Sequence, residues 1–356
     1  MLIDGAPLRS IWVEPDGWAI GIFDQRRLPW AFERMTLNSA EACFEAIATM
    51  ATRGAPLIGS VGAYGLAFAL REDASDAALA AAHARLDSAR PTAVNLRWAL
   101  DRVRARVAPL APADRAAAAY DEAGAIVAED DAANRAIGEA GLPLIRAIAE
   151  AKGGAPVNIL THCNAGWLAT VAWGTATAPI YLAQDAGIPV HVWVDETRPR
   201  NQGALTALEL GAHGVPHHYV ADNAGGLLMQ QGKVDLVFVG TDRVTANGDV
   251  CNKIGTYLKA LAAAAHGVPF HVALPSSTYD PHTPDGASVP IEGRSADELR
   301  FLTGPDEAGV MRRVGVTNAP AENPAFDVTP AALVTSYLTE AGELIGADAL
   351  AARFAR

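Results

Sequence analysis

The sequence predicts an α/β fold in two parts: a small N-terminal sheet and helical domain over residues 1–150, then a parallel-sheet domain over 151–356. Three observations lead there. A chain of 356 residues exceeds one typical hydrophobic core. Its beginning holds short apolar runs around turn residues, followed by a long alanine-rich stretch with helical spacing. Beyond residue 156 short apolar strands alternate with helical segments, the pattern of a parallel sheet covered on both faces.

Residues 10–14 and 18–23 read as strands around the turn Pro15-Asp16-Gly17, and 30–37 as a third. Asn38 with Glu41 three residues on makes a capping-box-like start for a helix over 40–52. Helices continue from about 56 to 148, and Ala151-Lys152-Gly153-Gly154-Ala155-Pro156 marks a domain edge. Strands are then predicted at 157–160, 190–194, 218–220, 236–239, 270–273 and 332–334. Helices over 204–210, 225–231 and 255–265 lie between most of them. In such a sheet ligands bind beyond the carboxyl ends of the strands, and Cys163 and Asp242 each follow one by two or three residues.

Composition narrows the function. The 40 acidic and 28 basic residues give a net charge of −12 with no long basic stripe, which argues against nucleic acid as a partner. Cys43, Cys163 and Cys251 are far apart and odd in number, as in a reducing compartment rather than a disulfide framework. The start MLIDGAPLRSIWVEPDG has early charges and no apolar core, so it does not read as a signal peptide. No apolar run approaches the ~20 residues that span a bilayer. A soluble, cytoplasmic protein with no membrane partner is the expectation.

Chemistry concentrates in a few stretches. In VNILTHCNAGWLAT (157–170) a thiol stands where a strand meets small residues and an apolar, helical-looking run. Cys163 there is open to four readings: nucleophile, metal ligand, proton carrier or polar stabiliser, or a small buried residue. A metal lacks further ligands, since no CxxC occurs and His213, His217 and His218 form the sole local histidine cluster. In VFVGTDRVTANGDVCNKIGTYLKAL (237–261) Asp242 follows an apolar strand, where burial would raise its pKa and suit it to act as an acid. Asn252 and Lys253 are read at a helix start, an anion site, although Asp242 and Lys253 could equally form a structural ion pair. Arg53-Gly54-Ala55-Pro56 joins two helices, and Glu196 to Gly203 follows a strand end with Arg, Asn and Gln beside glycine. Gly59-Ser60-Val61-Gly62-Ala63-Tyr64-Gly65 is not a dinucleotide fingerprint, because no strand precedes it.

Taken together, RGAPLIG (53–59), RPTAVNLRWA (90–99), THCNAG (161–166), ETRPRNQGA (196–204), ADNAGG (221–226), GTDRVTANGDVCNKIGTY (240–257) and the PDG–IEGR segment (284–294) resemble the methylthioribose-1-phosphate isomerases. That family is shared with the regulatory subunits of a guanine-nucleotide exchange factor for translation initiation. The resemblance runs nearly end to end. It implies a small N-terminal β-sheet plus helical domain, a Rossmann-like catalytic domain, a homodimer, and a place in methionine salvage. It further implies that Cys163 and Asp242 are catalytic and that Arg53, Gly54, Ala55, Arg90, Gln202, Asn252 and Lys253 bind substrate. The regulatory subunits do not keep the Cys and Asp together, whereas this chain has both. One departure stands out: after Gln202-Gly203-Ala204 many isomerases read Arg-Leu-Thr, and here Leu205-Thr206 follows directly.

The implied reaction converts an aldose 1-phosphate to a ketose 1-phosphate, for which no cofactor and no metal is required. The phosphate blocks the anomeric oxygen, so an acid must open the ring, and Asp242 is the candidate. Hydrogen then moves from C2 to C1 as a proton or as a hydride, with Cys163 as base or as stabilising group. Two alternatives are an isomerase for 5-deoxyribose 1-phosphate or ribose 1,5-bisphosphate, and a non-catalytic regulatory protein that binds a sugar phosphate or nucleotide. No basic cluster is evident beyond the residues assigned to the C1 phosphate, which argues against a bisphosphate.

Overall fold

The computed structural model of the protein describes residues 2–3, 6–90 and 93–354. Near its start, strands Ile11–Val13, Ile20–Phe23 and Arg34–Leu37 form an antiparallel sheet. Ile11, Ile20, Ile22 and Leu37 point into a core shared with the helices that come next. The first helix, Ala40–Ala48, is capped by Ser39 rather than Asn38: the Ser39 backbone is extended and its hydroxyl accepts from the Ala42 amide at 3.2 Å. It ends earlier than residue 52 because Met50 adopts φ 58°, which no helix tolerates.

Helices Ala55–Glu72, Asp76–Asp87 and Val94–Val107 complete the N-terminal core. The glycines of 59–65 lie inside Ala55–Glu72, where they serve packing. A Cβ on Gly59 would stand 2.8 Å from the Asn95 carbonyl oxygen, so its absence lets Val94–Val107 lie close. The next helix, Pro112–Ala151, has 40 residues and spans about 60 Å at 1.5 Å per residue. Its first half packs on Ala55–Glu72, and its second half on Ala178–Asp185 and the large sheet. Among the described residues no helix is long and apolar enough to cross a membrane.

The large sheet has seven strands in the spatial order Gly342–Leu344, Ser336–Thr339, Phe270–Ala273, Leu236–Val239, Val157–His162, Val190–Asp195, His217–Val220. All neighbours are parallel except the edge pair 336–339 and 342–344. The chain runs outward from 157–162 in one direction, then returns to build the other side from 236–239. The strand order therefore reverses between Val157–His162 and Leu236–Val239, where open α/β sheets bind ligands.

The structure corrects several expectations from the sequence. The strand read at 332–334 is a 3-10 turn after Pro330, and the sheet strand is Ser336–Thr339. The strand read at 157–160 extends to His162, so Cys163 is the first residue past it. After Cys163 the chain forms no regular helix but an irregular loop with one 3-10 turn, Trp167–Ala169, because Gly174 turns at φ 77° and Glu209 accepts the Leu168 amide. Asn252 and Lys253 are not at a helix start either. They end strand Val250–Lys253, which pairs antiparallel with Arg243–Thr245 in a separate four-stranded sheet. The helix begins at Thr256, and Asp327 already accepts from the Gly255 and Tyr257 amides at its N-terminus. An anion site of the chain's own making is thus filled by the chain itself.

Candidate active site

One cavity opens at the switch point, about 770 Å³ counting its open mouth. Cys163, one residue past Val157–His162, and Asp242, three past Leu236–Val239, both line it. Arg53, Gly54, Ala55, Arg90, Gln202, Asn252 and Lys253 line it too, so all nine residues singled out in the sequence meet in one place.

Backbone strain surrounds this cavity. Cys163 has φ 67°, and Met50, Thr197 and Asn201 are also in the left-handed region. The Cys163 turn is held from both sides: its amide donates to Thr197 Oγ1 at 2.9 Å, and Thr206 Oγ1 donates to its carbonyl at 2.9 Å. Thr206 lies on Gly203–Ala212, the helix that contains the shortened segment after Ala204. Beneath Thr197 lies a buried charge cluster. Asp195 accepts from Thr197 Oγ1 at 2.8 Å, and it pairs with His162 Nδ1 at 2.8 Å and Lys259 Nζ at 2.8 Å.

Arg53 is fixed by Asn164, donating Nη1 to the Asn164 carbonyl at 3.1 Å and Nη2 to its side-chain oxygen. The Asn164 amide in turn donates to Glu209 at 3.1 Å. Burial pushes the Glu209 carboxyl up to about 7. Gly54 carries φ 102°, and a Cβ there would meet the Ala169 backbone at 2.3 Å, so the Arg53–Ala55 corner approaches the cavity loop as only glycine allows. Lys253 rests over the Phe326 ring, its ammonium 4.3 Å from the centroid. No ion pair joins it to Asp242 among the described residues; both groups stay available to a ligand.

The two reactive groups share an electrostatic setting. Burial raises the Asp242 pKa, opposed by Lys253, Arg90 and Arg53 and reinforced by Glu292. Burial also raises the Cys163 thiol, opposed by Lys253 and Arg53 and reinforced by Asp242. Two buried polar atoms at the cavity, Gln202 Oε1 and Arg53 Nε, lack a hydrogen-bond partner among the described residues. Such atoms are costly to bury unless a ligand satisfies them.

Arg200, from the strand-end loop 196–203, and Arg294 also line the cavity, although neither is among the nine residues singled out in the sequence. The expectation of no further basic cluster is corrected accordingly. Both arginines stand inside the motifs quoted for the resemblance, but nothing in their spacing shows that they converge. As for metals, His162, Asp195 and Asp222 are close enough to share an ion, yet Lys259 Nζ already sits 2.8 Å from Asp195 and 4.0 Å from Asp222, in a cation's place. The histidines 213, 217 and 218 do not converge: they bond Asp185, the Val215 carbonyl and His191 respectively.

A sequence profile of the "Initiation factor 2 subunit family" matches residues 51–345, most of the chain. The chain belongs to that family. Several relatives 58–61% identical to this chain are named methylthioribose-1-phosphate isomerase. The protein of Gluconobacter oxydans is 60% identical over 355 residues, 98% of this chain and 96% of its own length. That of Rhodospirillum centenum is 60% identical over 346 residues, 96% of this chain and 92% of its own. Among solved structures, 5-methylthioribose 1-phosphate isomerase from Pyrococcus horikoshii superposes with a TM-score of 0.80 at 36% identity, covering 96% of this chain and 93% of that one. The subunit delta of translation initiation factor eIF-2B from A. fulgidus superposes at 0.77 and 36%, covering 95% and 96%. Small antiparallel sheet, helical region and mostly parallel large sheet are thus the architecture of the family as well as of this chain.

Proposed function

We propose that this chain is an aldose–ketose isomerase that converts 5-methylthioribose 1-phosphate to 5-methylthioribulose 1-phosphate. The observation that carries the reading is the meeting of a thiol, a carboxyl of raised pKa and several cations at the sheet's switch point, in a chain 60% identical over nearly its whole length to isomerases of that name. The catalytic and binding roles of individual residues are part of the proposal, as is a division of the chain near residue 151.

Asp242 donates its proton to the ring oxygen, and the bond between that oxygen and C1 breaks. Arg53, Arg90 and Lys253 hold the C1 phosphate; Gln202 and Asn252 hold hydroxyls. Hydrogen then passes from C2 to C1 with its electron pair, which reduces C1 and oxidises C2 to the ketone as the C2 hydroxyl gives its proton to the Asp242 carboxylate left by the first step. Burial keeps Cys163 a neutral thiol, which supports hydride transfer over abstraction of a proton by a thiolate. A dry pocket with fixed dipoles serves that step.

The test is turnover of the purified protein on three sugar phosphates. We expect methylthioribose 1-phosphate and 5-deoxyribose 1-phosphate to be accepted, the former preferred, since an apolar substituent is discriminated by only ~1–3 kcal/mol per methylene. Ribose 1,5-bisphosphate should be poor; a clear preference for it in kcat/KM would overturn the assignment. In D2O the product should carry no solvent deuterium at C1. Separately, Arg53→Met should weaken substrate affinity by roughly 10–150-fold, the value of one charge-assisted contact of about 1.5–3 kcal/mol. Inorganic phosphate should compete with substrate in the unaltered protein and more weakly in the variant; equal competition in both would remove Arg53 from the phosphate site.

A homodimer and a cytoplasmic location go with this reading. The exposed side chains Leu227, Leu258 and Leu261, on adjoining helices, support the first, and a monomeric mass by light scattering would refute it.

A further inference from the structure

Five cationic side chains line the cavity: Arg53, Arg90, Arg200, Lys253 and Arg294. Three of them are tied into one alternating row of charges. Arg90 meets Glu292 at 3.3 Å, Glu292 meets Arg294 at 2.9 Å, Arg294 meets Glu298 at 2.7 Å, and Glu298 meets Arg200 at 2.8 Å. The row joins three distant parts of the chain at the cavity wall. Its middle is well covered, the Arg294 and Glu298 side chains each being 15% exposed, so solvent screens it little. Asn323 donates a further hydrogen bond to Glu298 at 2.9 Å and fixes its orientation. Glu292 and Glu298 offset two of the three positive charges in the row, whereas Arg53 and Lys253 carry no ion pair among the described residues and stay open to one phosphate.

We propose that Glu298 is a specificity-determining residue: by cancelling Arg200 and Arg294 at the cavity wall it lets the site take a pentose with one phosphate and turn away one phosphorylated at both C1 and C5. The inference rests on the isomerase reading and adds the feature that selects among its substrates. Burial alone would raise the Glu298 carboxyl, but the bonds from Arg294 and Arg200 hold it down to about 2, so it remains an anion throughout the neutral range. A second phosphate would have to compete with a fixed carboxylate for both arginines, and burying a phosphate without cationic partners is costly. The wall thus holds guanidinium groups without offering them.

The experiment is calorimetric titration of methylthioribose 1-phosphate and ribose 1,5-bisphosphate into the unaltered protein, Glu298→Gln and Arg200→Gln, read as the ratio of the two affinities. Glu298→Gln frees Arg200 and leaves Arg294 paired with Glu292 alone, while keeping the side chain's size, and should raise relative affinity for the bisphosphate by about tenfold. Arg200→Gln removes a positive charge and should move the ratio the other way, which keeps the idea testable if the first variant does not fold. A merely structural role for Glu298 would weaken both ligands together and leave the ratio alone. A change in ratio of less than about threefold in every folded variant overturns the role of Glu298, and a larger change in the stated direction supports it. Failure of the unaltered protein to bind the monophosphate would instead sink the isomerase reading itself.

Discussion

Asp242→Asn is expected to lower turnover by about 10²–10⁴-fold, the usual contribution of a positioned acid, and Cys163→Ala to do comparable damage. Neither change should harm the fold. The Cys163 turn is held through its backbone by Thr197 and Thr206, bonds that alanine keeps. The Asp242 amide bonds the Cys251 carbonyl at 3.0 Å, and asparagine keeps that bond too. The sign of the pH dependence comes from the raised pKa. An acid must hold its proton, so kcat/KM of the unaltered protein should fall as pH rises through the Asp242 pKa, and the Asn variant should lack that limb. For stability, a carboxyl raised by folding stabilises the native state below its unfolded pKa, and that contribution is lost as pH rises. Above its folded pKa the ionised Asp242 is therefore a cost, and there Asp242→Asn should melt at the same temperature or higher. Near-normal turnover in either variant, or a lowered melting temperature for Asp242→Asn, would refute the role assigned.

Why is the pairing of Cys163 with Asp242 legible in the sequence alone? Both come after runs of Val, Leu, Ile or Phe whose continuous apolar character identifies central parallel strands, and a parallel sheet puts its strand ends on one edge. Asn252 and Lys253 stand out for a poorer reason. The Asn247-Gly248 dipeptide is a hairpin signal, and it places both residues on a strand instead of at a helix start. The run after Cys163 looks helical because Trp167, Leu168 and Ala169 are apolar. Burial of Trp167 and Leu168 comes instead from packing on Phe23, Leu28 and Leu205, contacts supplied by distant segments. Arg200, Arg294 and Glu298 are illegible in the same sense. Each is an ordinary charged residue alone, and only the fold brings 200 beside 298. The Ser39 cap differs again: two adjacent capping residues compete, and backbone geometry rather than residue type decides between them.

The buried cluster under the active-site turn should carry a large share of the stability, and Lys259→Met exposes it. Asp195 is fully buried, with Lys259 Nζ and His162 Nδ1 each 2.8 Å away. Methionine keeps the stem's packing but leaves the carboxylate with one counter-charge fewer. Breaking a buried pair from one side costs about 3–5 kcal/mol, and His162 remaining in place argues for the lower end. Against a typical total of about 5–15 kcal/mol such a loss is severe. Burial raises the Asp195 carboxyl, but His162 and Lys259 more than offset this and hold it low in the folded protein. A carboxyl depressed by folding contributes stability that is complete above its unfolded pKa and disappears as pH falls through the folded value. The gap between variant and unaltered protein should thus be full at about pH 7.5 and shrink below about pH 4, where Asp195 in the variant takes up a proton. Urea unfolding at both pH values measures it. A gap of equal size at both would mean that the lysine acts through packing alone. Because Asp195 also bonds Thr197, which bonds the Cys163 amide, the same variant should lose turnover at temperatures where it is still folded.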